Sequence, residues 1–424
     1  MDLRVRKKLQ PIDAEITIPA DKSVSHRAVI FASLVKGKSI IRNFSLGQDP
    51  ISSLNLCRAL GIRAEYTGEK ELIVISNGVL SSPCESLNCG NSGTTMRLMA
   101  GVLAGQDFNS VLTGDTSLSK RPMKRIVTPL ELMGANISSN NFCAPLKIKS
   151  SKLHAIHYES SLASAQVKSC VLLAGLFADG ITSYKEIYPS RNHTEIMLSH
   201  MGANIRGENN IVYIQKSELA PVNIKILGDI SSAAYFIAAG LIVPNSKIII
   251  KNIGLNPTRT GILKVIEMMG KNIELLDIYT ECGELVGDIF VDYCDSLKGC
   301  EISKELIPTL IDEIPIIALI ASQAEGETII KDAADLHHKE SDRIKTTVNE
   351  LKKLGINIEE TEDGMKIYGK TSLKGGAEVN SCKDHRLAMM LYVAGLICEE
   401  EILIKDFDWV NISFPEFEEL MGQL

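Results

Sequence analysis

The chain has 424 residues, 45% of them hydrophobic and 23% charged, an ordinary globular balance long enough for two or more cores. Its net charge of -7 argues against a surface that tracks nucleic acid, so its basic clusters read as local pockets. The longer apolar runs, Tyr235 to Val243 and Ile314 to Ala321, reach about half of a bilayer span, and the charged start MDLRVRKKLQ has no apolar run behind it; a soluble cytoplasmic protein is expected.

In chain order, the strand-like run Glu15 to Pro19 leads into DKSVSHR (Asp21 to Arg27), which packs a lysine, an arginine, a histidine and two serines into seven residues. From there one unit recurs six times. Each copy has a helix rich in Ala, Gly, Leu and Ile all round, which composition predicts to be buried. The copies run through Arg27 to Val35, Met96 to Leu103, Val167 to Phe177, Ala233 to Ile242, Ile316 to Ala321 and Leu387 to Ile397. An outer helix follows each, ending in Leu or Met and then a glycine: Gly61, Gly134, Gly202, Gly270, Gly355 and Gly422. These glycines sit where a helix C-cap needs a left-handed residue before a strand. Segments such as Ala64 to Ser76 supply the closing strand pair.

The sixth unit stops at the chain end, and Leu3 to Ile18, with two strand-like runs, is expected to complete it. The fold class is therefore α/β in two domains of three repeats each. Residues 1–20 and 228–424 form a discontinuous domain, 21–227 an inserted one, and the active site is expected in the cleft between them.

The charged motifs fall at the starts of the buried helices: DKSVSHR, GNSGTTMR (Gly90 to Arg97), SSLASAQVKS (Ser160 to Ser169), GDISSAA (Gly228 to Ala234), IDEIP (Ile311 to Pro315) and DHR (Asp384 to Arg386). A helix N-terminus offers unpaired N–H donors and a partial positive charge, so several aimed at one place suit an anion. SKRPMKR (Ser119 to Arg125) and KESDR (Lys339 to Arg343) add cations near outer helices. Each motif alone also fits a capped helix or a solvated charge run. The ten cysteines have no close C-x-x-C pair and read as reduced thiols, and no histidine pattern indicates a metal.

Taken in order, DKSVSHR, NSGTTMR, KRPM, SAQVKS, SRNHTE, IDEIP, KESDR, DHR and SFPEF resemble the 5-enolpyruvylshikimate-3-phosphate synthase family over nearly the whole chain. The resemblance implies three βαβαββ repeats per domain about a pseudo-threefold axis, an enolpyruvyl transferase fold. It implies transfer of the enolpyruvyl group of phosphoenolpyruvate to the 5-hydroxyl of shikimate 3-phosphate, with loss of phosphate through a tetrahedral intermediate. No metal or organic cofactor, nucleic acid or membrane is implied, and a monomer is expected.

By the same resemblance Lys22, Gly93, Arg121, Gln166, Arg343 and Arg386 hold phosphoenolpyruvate. Guanidinium forks suit its carboxylate and phosphate. Ser23, Arg27, Ser164, Gln166, Arg191, Asp312 and Lys339 hold shikimate 3-phosphate. Asp312 is the expected base, and Glu340 with Lys22 handles protons at the methylene carbon, so Glu340 is expected to carry a raised pKa. Ile412 stands where many family members have a lysine, and Gly93 implies sensitivity to glyphosate. Two other readings are a UDP-N-acetylglucosamine enolpyruvyl transferase, disfavoured because the KRPM segment carries no cysteine, and a non-catalytic anion binder, disfavoured by the acid and base.

Overall fold

The structure is a computed structural model describing residues 1–424. Five of the six recurring glycines, Gly61, Gly134, Gly202, Gly270 and Gly355, take φ between +85° and +95°. They follow the outer helices Gln48–Ala59, Lys124–Leu132, His193–His200, Gly261–Met268 and Arg343–Lys353. A residue with a Cβ loses about 1–2 kcal/mol in that conformation, which is why glycine recurs. Gly422 departs from the expectation: it is the final residue of the last helix, Phe417–Gly422, and has no positive φ.

The chain divides into two compact units. One comprises Met1–Pro19, Leu227–Thr280 and Glu284–Leu424, the other Ala20–Ile226 and Glu281–Gly283. The larger has three sheets, whose strand orders are Glu274–Glu281, Glu284–Asp292, Lys247–Gly254, Asp13–Thr17; Glu301–Ile302, Gly326–Ile330, Gly364–Gly369, Asn357–Thr361; and Leu3–Val5, Ile402–Lys405, Glu378–Asn380. The other also has three, of four strands each.

Every sheet contains one parallel pair, and these pairs correct one expectation. Leu3–Val5 does complete the sixth unit, running antiparallel to Ile402–Lys405. Asp13–Thr17 instead runs parallel to Lys247–Gly254 in the fourth unit. Asn223–Lys225 likewise pairs with Lys36–Arg42 in the first. At both crossings the chain leaves between a strand and the buried helix that follows it, so strand-like character at 13–17 says nothing of which sheet is joined.

The six buried helices are Lys22–Ser33, Gly93–Ala104, Ala165–Gly175, Ile230–Ile242, Ile314–Ser322 and His385–Gly395. Nearly every residue in them is buried, and they form the centres of two separate hydrophobic cores, one per unit. Close approach sets some identities: a Cβ on Gly101 would stand 2.2 Å from the Cys170 carbonyl oxygen, so only glycine lets these two helices meet. Four of the six helices are capped by a side chain, Asp21, Ser92, Asp229 and Asp384 accepting from the N–H of Val24, Thr95, Ser231 and Arg386. Each such cap contributes about 1 kcal/mol. The polar residues at these helix starts are therefore set by local chain geometry as well as by chemistry. No helix is long and apolar enough to cross a membrane.

Candidate active site

In the unit built from Ala20–Ile226, three buried helices start with the predicted residues. Lys22 and Ser23 open the first, and the Lys22 Nζ donates to Asp49 Oδ2 at 3.2 Å. One turn on, Arg27 is buried, and its guanidinium is fully directed. Nε donates to Thr194 Oγ1 at 2.8 Å, Nη1 to the Ser23 carbonyl at 2.9 Å and Nη2 to Ser169 Oγ at 2.9 Å. Those contacts tie Lys22–Ser33 to Ala165–Gly175 and His193–His200. Ser164 stands immediately before the second of these helices.

Gly93 is the first residue of its helix, and a Cβ there would lie 2.9 Å from Arg97 Nη1 and 3.5 Å from Arg121 Nη1. Arg97 Nη1 donates to Gln166 Oε1, and Gln166 Nε2 donates to Thr94 Oγ1 at 2.9 Å. Arg121 Nη2 donates to Asn91 Oδ1 at 2.8 Å. Gly93, Arg121 and Gln166 are thus brought together around Arg97. Arg191 lies just before the helix His193–His200, half-buried.

The other unit gathers Asp312, Lys339, Glu340, Arg343 and Arg386 into one ion-pair network. Arg343, 1% exposed, donates from Nη1 to Asp312 Oδ1 at 3.1 Å and from Nη2 to Glu340 Oε2 at 2.6 Å. It also spans both oxygens of Asp384. Arg386 Nη1 reaches Glu313 Oε1 at 3.4 Å, and its Nη2 is 3.9 Å from Asp312 Oδ2. Lys339 Nζ lies 3.8 Å from Asp312 Oδ1 and 3.4 Å from Asp335 Oδ2.

Burial opposes the charge on Arg343, but Asp384, Glu340 and Asp312 outweigh it and hold its pKa well above the usual value. Burial likewise opposes the charge on Arg386, which Asp312 and Glu313 help to raise. Both guanidinium groups are therefore permanent cations. Asp312 faces three cations, Arg343, Lys339 and Arg386.

Several supporting residues escaped the sequence reading. Asp49, Asn91 and Arg97 hold Lys22, Arg121 and Gln166, and Asp384 holds Arg343. Arg97 and Asp384 stood inside motifs already marked, but their partners lie 69 and 41 positions away. Ile412 ends the short 3-10 helix Phe407–Ile412 and is half-buried, so the position brings no cation.

Residues 6–421 match the family described as EPSP synthase (3-phosphoshikimate 1-carboxyvinyltransferase). The chain belongs to the EPSP synthase family. It is 52% identical to the 3-phosphoshikimate 1-carboxyvinyltransferase of Thermodesulfovibrio yellowstonii over 427 residues, 99% of each chain. To the enzyme of that name from Bacillus subtilis it is 48% identical over 424 residues, again 99% of each. The solved EPSP synthase of Acinetobacter baumannii superposes with a TM-score of 0.88 at 38% identity, covering 100% of this chain and 98% of that one. The enolpyruvyl transferase NikO of Streptomyces tendae, at 16% identity and a TM-score of 0.80, shares the fold; it covers 100% of this chain and 97% of that one.

EPSP synthase membership makes this chain a transferase of the shikimate pathway that moves the enolpyruvyl group, and sets aside both the UDP-sugar transferase and the non-catalytic binder.

Proposed function

We propose that the two groups of residues described above share the substrates of one reaction. Shikimate 3-phosphate is held by Ser23, Arg27, Ser164, Gln166 and Arg191 from one unit and by Asp312 and Lys339 from the other. Phosphoenolpyruvate is held by Lys22, Gly93, Arg121 and Gln166 together with Arg343 and Arg386. Asp312 takes the proton of the 5-hydroxyl as that oxygen attacks C2 of phosphoenolpyruvate. Glu340, with Lys22, protonates the methylene carbon, giving the tetrahedral intermediate; loss of phosphate and of a methyl proton then completes the transfer. A monomeric state and a cytoplasmic location are part of this reading.

The observation that supports it most is the convergence on Asp312. One carboxylate faces Arg343, Lys339 and Arg386, so a candidate base and candidate anion-binding cations lie side by side. Preorganised cations of this kind stabilise charge that develops during the reaction. The test is phosphate release measured with both substrates and with each omitted in turn. Release that needs both supports the reading, and release from phosphoenolpyruvate alone contradicts it.

A further inference from the structure

Lys168 lies on the buried helix Ala165–Gly175, two residues beyond Gln166, and is 1% exposed. An ammonium has three N–H donors and no acceptor. All three find partners: Glu195 Oε1 at 2.6 Å, Glu186 Oε2 at 2.9 Å and the Ser190 carbonyl at 3.1 Å. Glu186 turns back on the same segment, accepting from the Ser190 N–H at 3.2 Å and from the Ser190 hydroxyl. The neighbouring position repeats the link, Ser169 Oγ meeting Thr194 Oγ1 at 2.7 Å. Residues 186–195 are thus closed on themselves and fastened to this helix, with a further tie from Arg27 to Thr194, and Arg191 lies between the fastened points.

Stability alone does not account for this cluster. Two carboxylates face one buried ammonium, and Glu195 Oε2 is buried with no hydrogen-bond partner. Apolar residues of similar volume would serve a core at least as well as a buried ion pair. What three directed bonds supply is orientation, here of the Ser190 carbonyl and so of the backbone entering Arg191.

We infer that Lys168 is a positioning residue, holding the 186–195 segment so that Arg191 meets the phosphate of shikimate 3-phosphate. This rests on the reading above that Arg191 takes that phosphate. The experiment compares the full-length chain with Lys168→Met, Ser190→Ala and Arg191→Ala. It reads KM for each substrate, kcat, and calorimetric binding of shikimate 3-phosphate.

Lys168→Met is expected to raise KM for shikimate 3-phosphate about 10- to 100-fold, with KM for phosphoenolpyruvate changing less than about threefold. Ser190→Ala removes the hydroxyl bond to Glu186, a partner of Lys168, and leaves the Lys168 bonds in place, so it gives a smaller rise in the same direction. If Lys168→Met does not fold, Lys168→Arg, which keeps the charge and changes the bonding geometry, decides the matter by the same rise. If Arg191→Ala weakens shikimate 3-phosphate while Ser190→Ala and a folded Lys168→Met do not, the positioning role is overturned and the reading of Arg191 stands. If Arg191→Ala leaves that binding unchanged, the reading of Arg191 fails and the positioning role with it. A loss of kcat with both KM values unchanged also overturns it.

Discussion

Arg343 and Asp384 form a forked ion pair, Nε at 2.8 Å from Oδ2 and Nη2 at 3.2 Å from Oδ1, with side chains 1% and 0% exposed. The same carboxylate caps the helix His385–Gly395. Asp384→Ala takes two hydrogen bonds from a buried guanidinium and the cap from a helix, and is expected to lower stability by about 3 kcal/mol. Urea unfolding checks this. Because the fork also directs the guanidinium, KM for phosphoenolpyruvate is expected to rise in the same variant.

His26 supplies a pH-dependent test of the unit that carries Lys22. It is fully buried, with Nδ1 2.7 Å from Ser53 Oγ. Burial first, and then the charges of Lys22 and Arg27, hold its pKa well below the ordinary 6.5. The unfolded chain therefore binds a proton that the folded chain refuses. The contribution is complete above about pH 6.5 and is lost as pH falls, by up to about 1.4 kcal/mol per pH unit. Between pH 7.5 and 5.5 the urea midpoint is expected to fall further in the wild type than in His26→Asn; equal falls contradict this.

Gly93 is the position where one methyl group is expected to matter most. A Cβ would stand 2.9 Å from Arg97 Nη1, the atom that donates to Gln166, so Gly93→Ala displaces that guanidinium. KM for phosphoenolpyruvate is expected to rise about 10-fold. Wild-type turnover is expected to fall under glyphosate, and that of the variant to fall less. Wild-type turnover unchanged at saturating glyphosate contradicts the assignment of this pocket.

The parts of the fold legible in the sequence were those set by local rules. Helices apolar all round had to be buried, and glycines after outer helices had to take positive φ. Sheet membership of Asp13–Thr17 was not legible, because a parallel partner 234 residues away leaves no mark on a five-residue run. The site divided the same way. Lys22, Arg27, Asp312 and Arg343 stood in motifs of distinctive composition, whereas the contact of Arg27 with Thr194 spans 167 positions. Glu340 shows a further limit. It lies ahead of the helix Arg343–Lys353 and meets Arg343 from three residues away, whereas its part in proton transfer rests on the family resemblance.

Asp312, among guanidinium groups that stay charged, is the proposed base. Asp312→Asn keeps the shape and removes the proton acceptor, and steady-state phosphate release with both substrates saturating is the direct measurement. Turnover is expected to fall by about 10²- to 10⁴-fold. Turnover close to that of the wild type would contradict this role for Asp312.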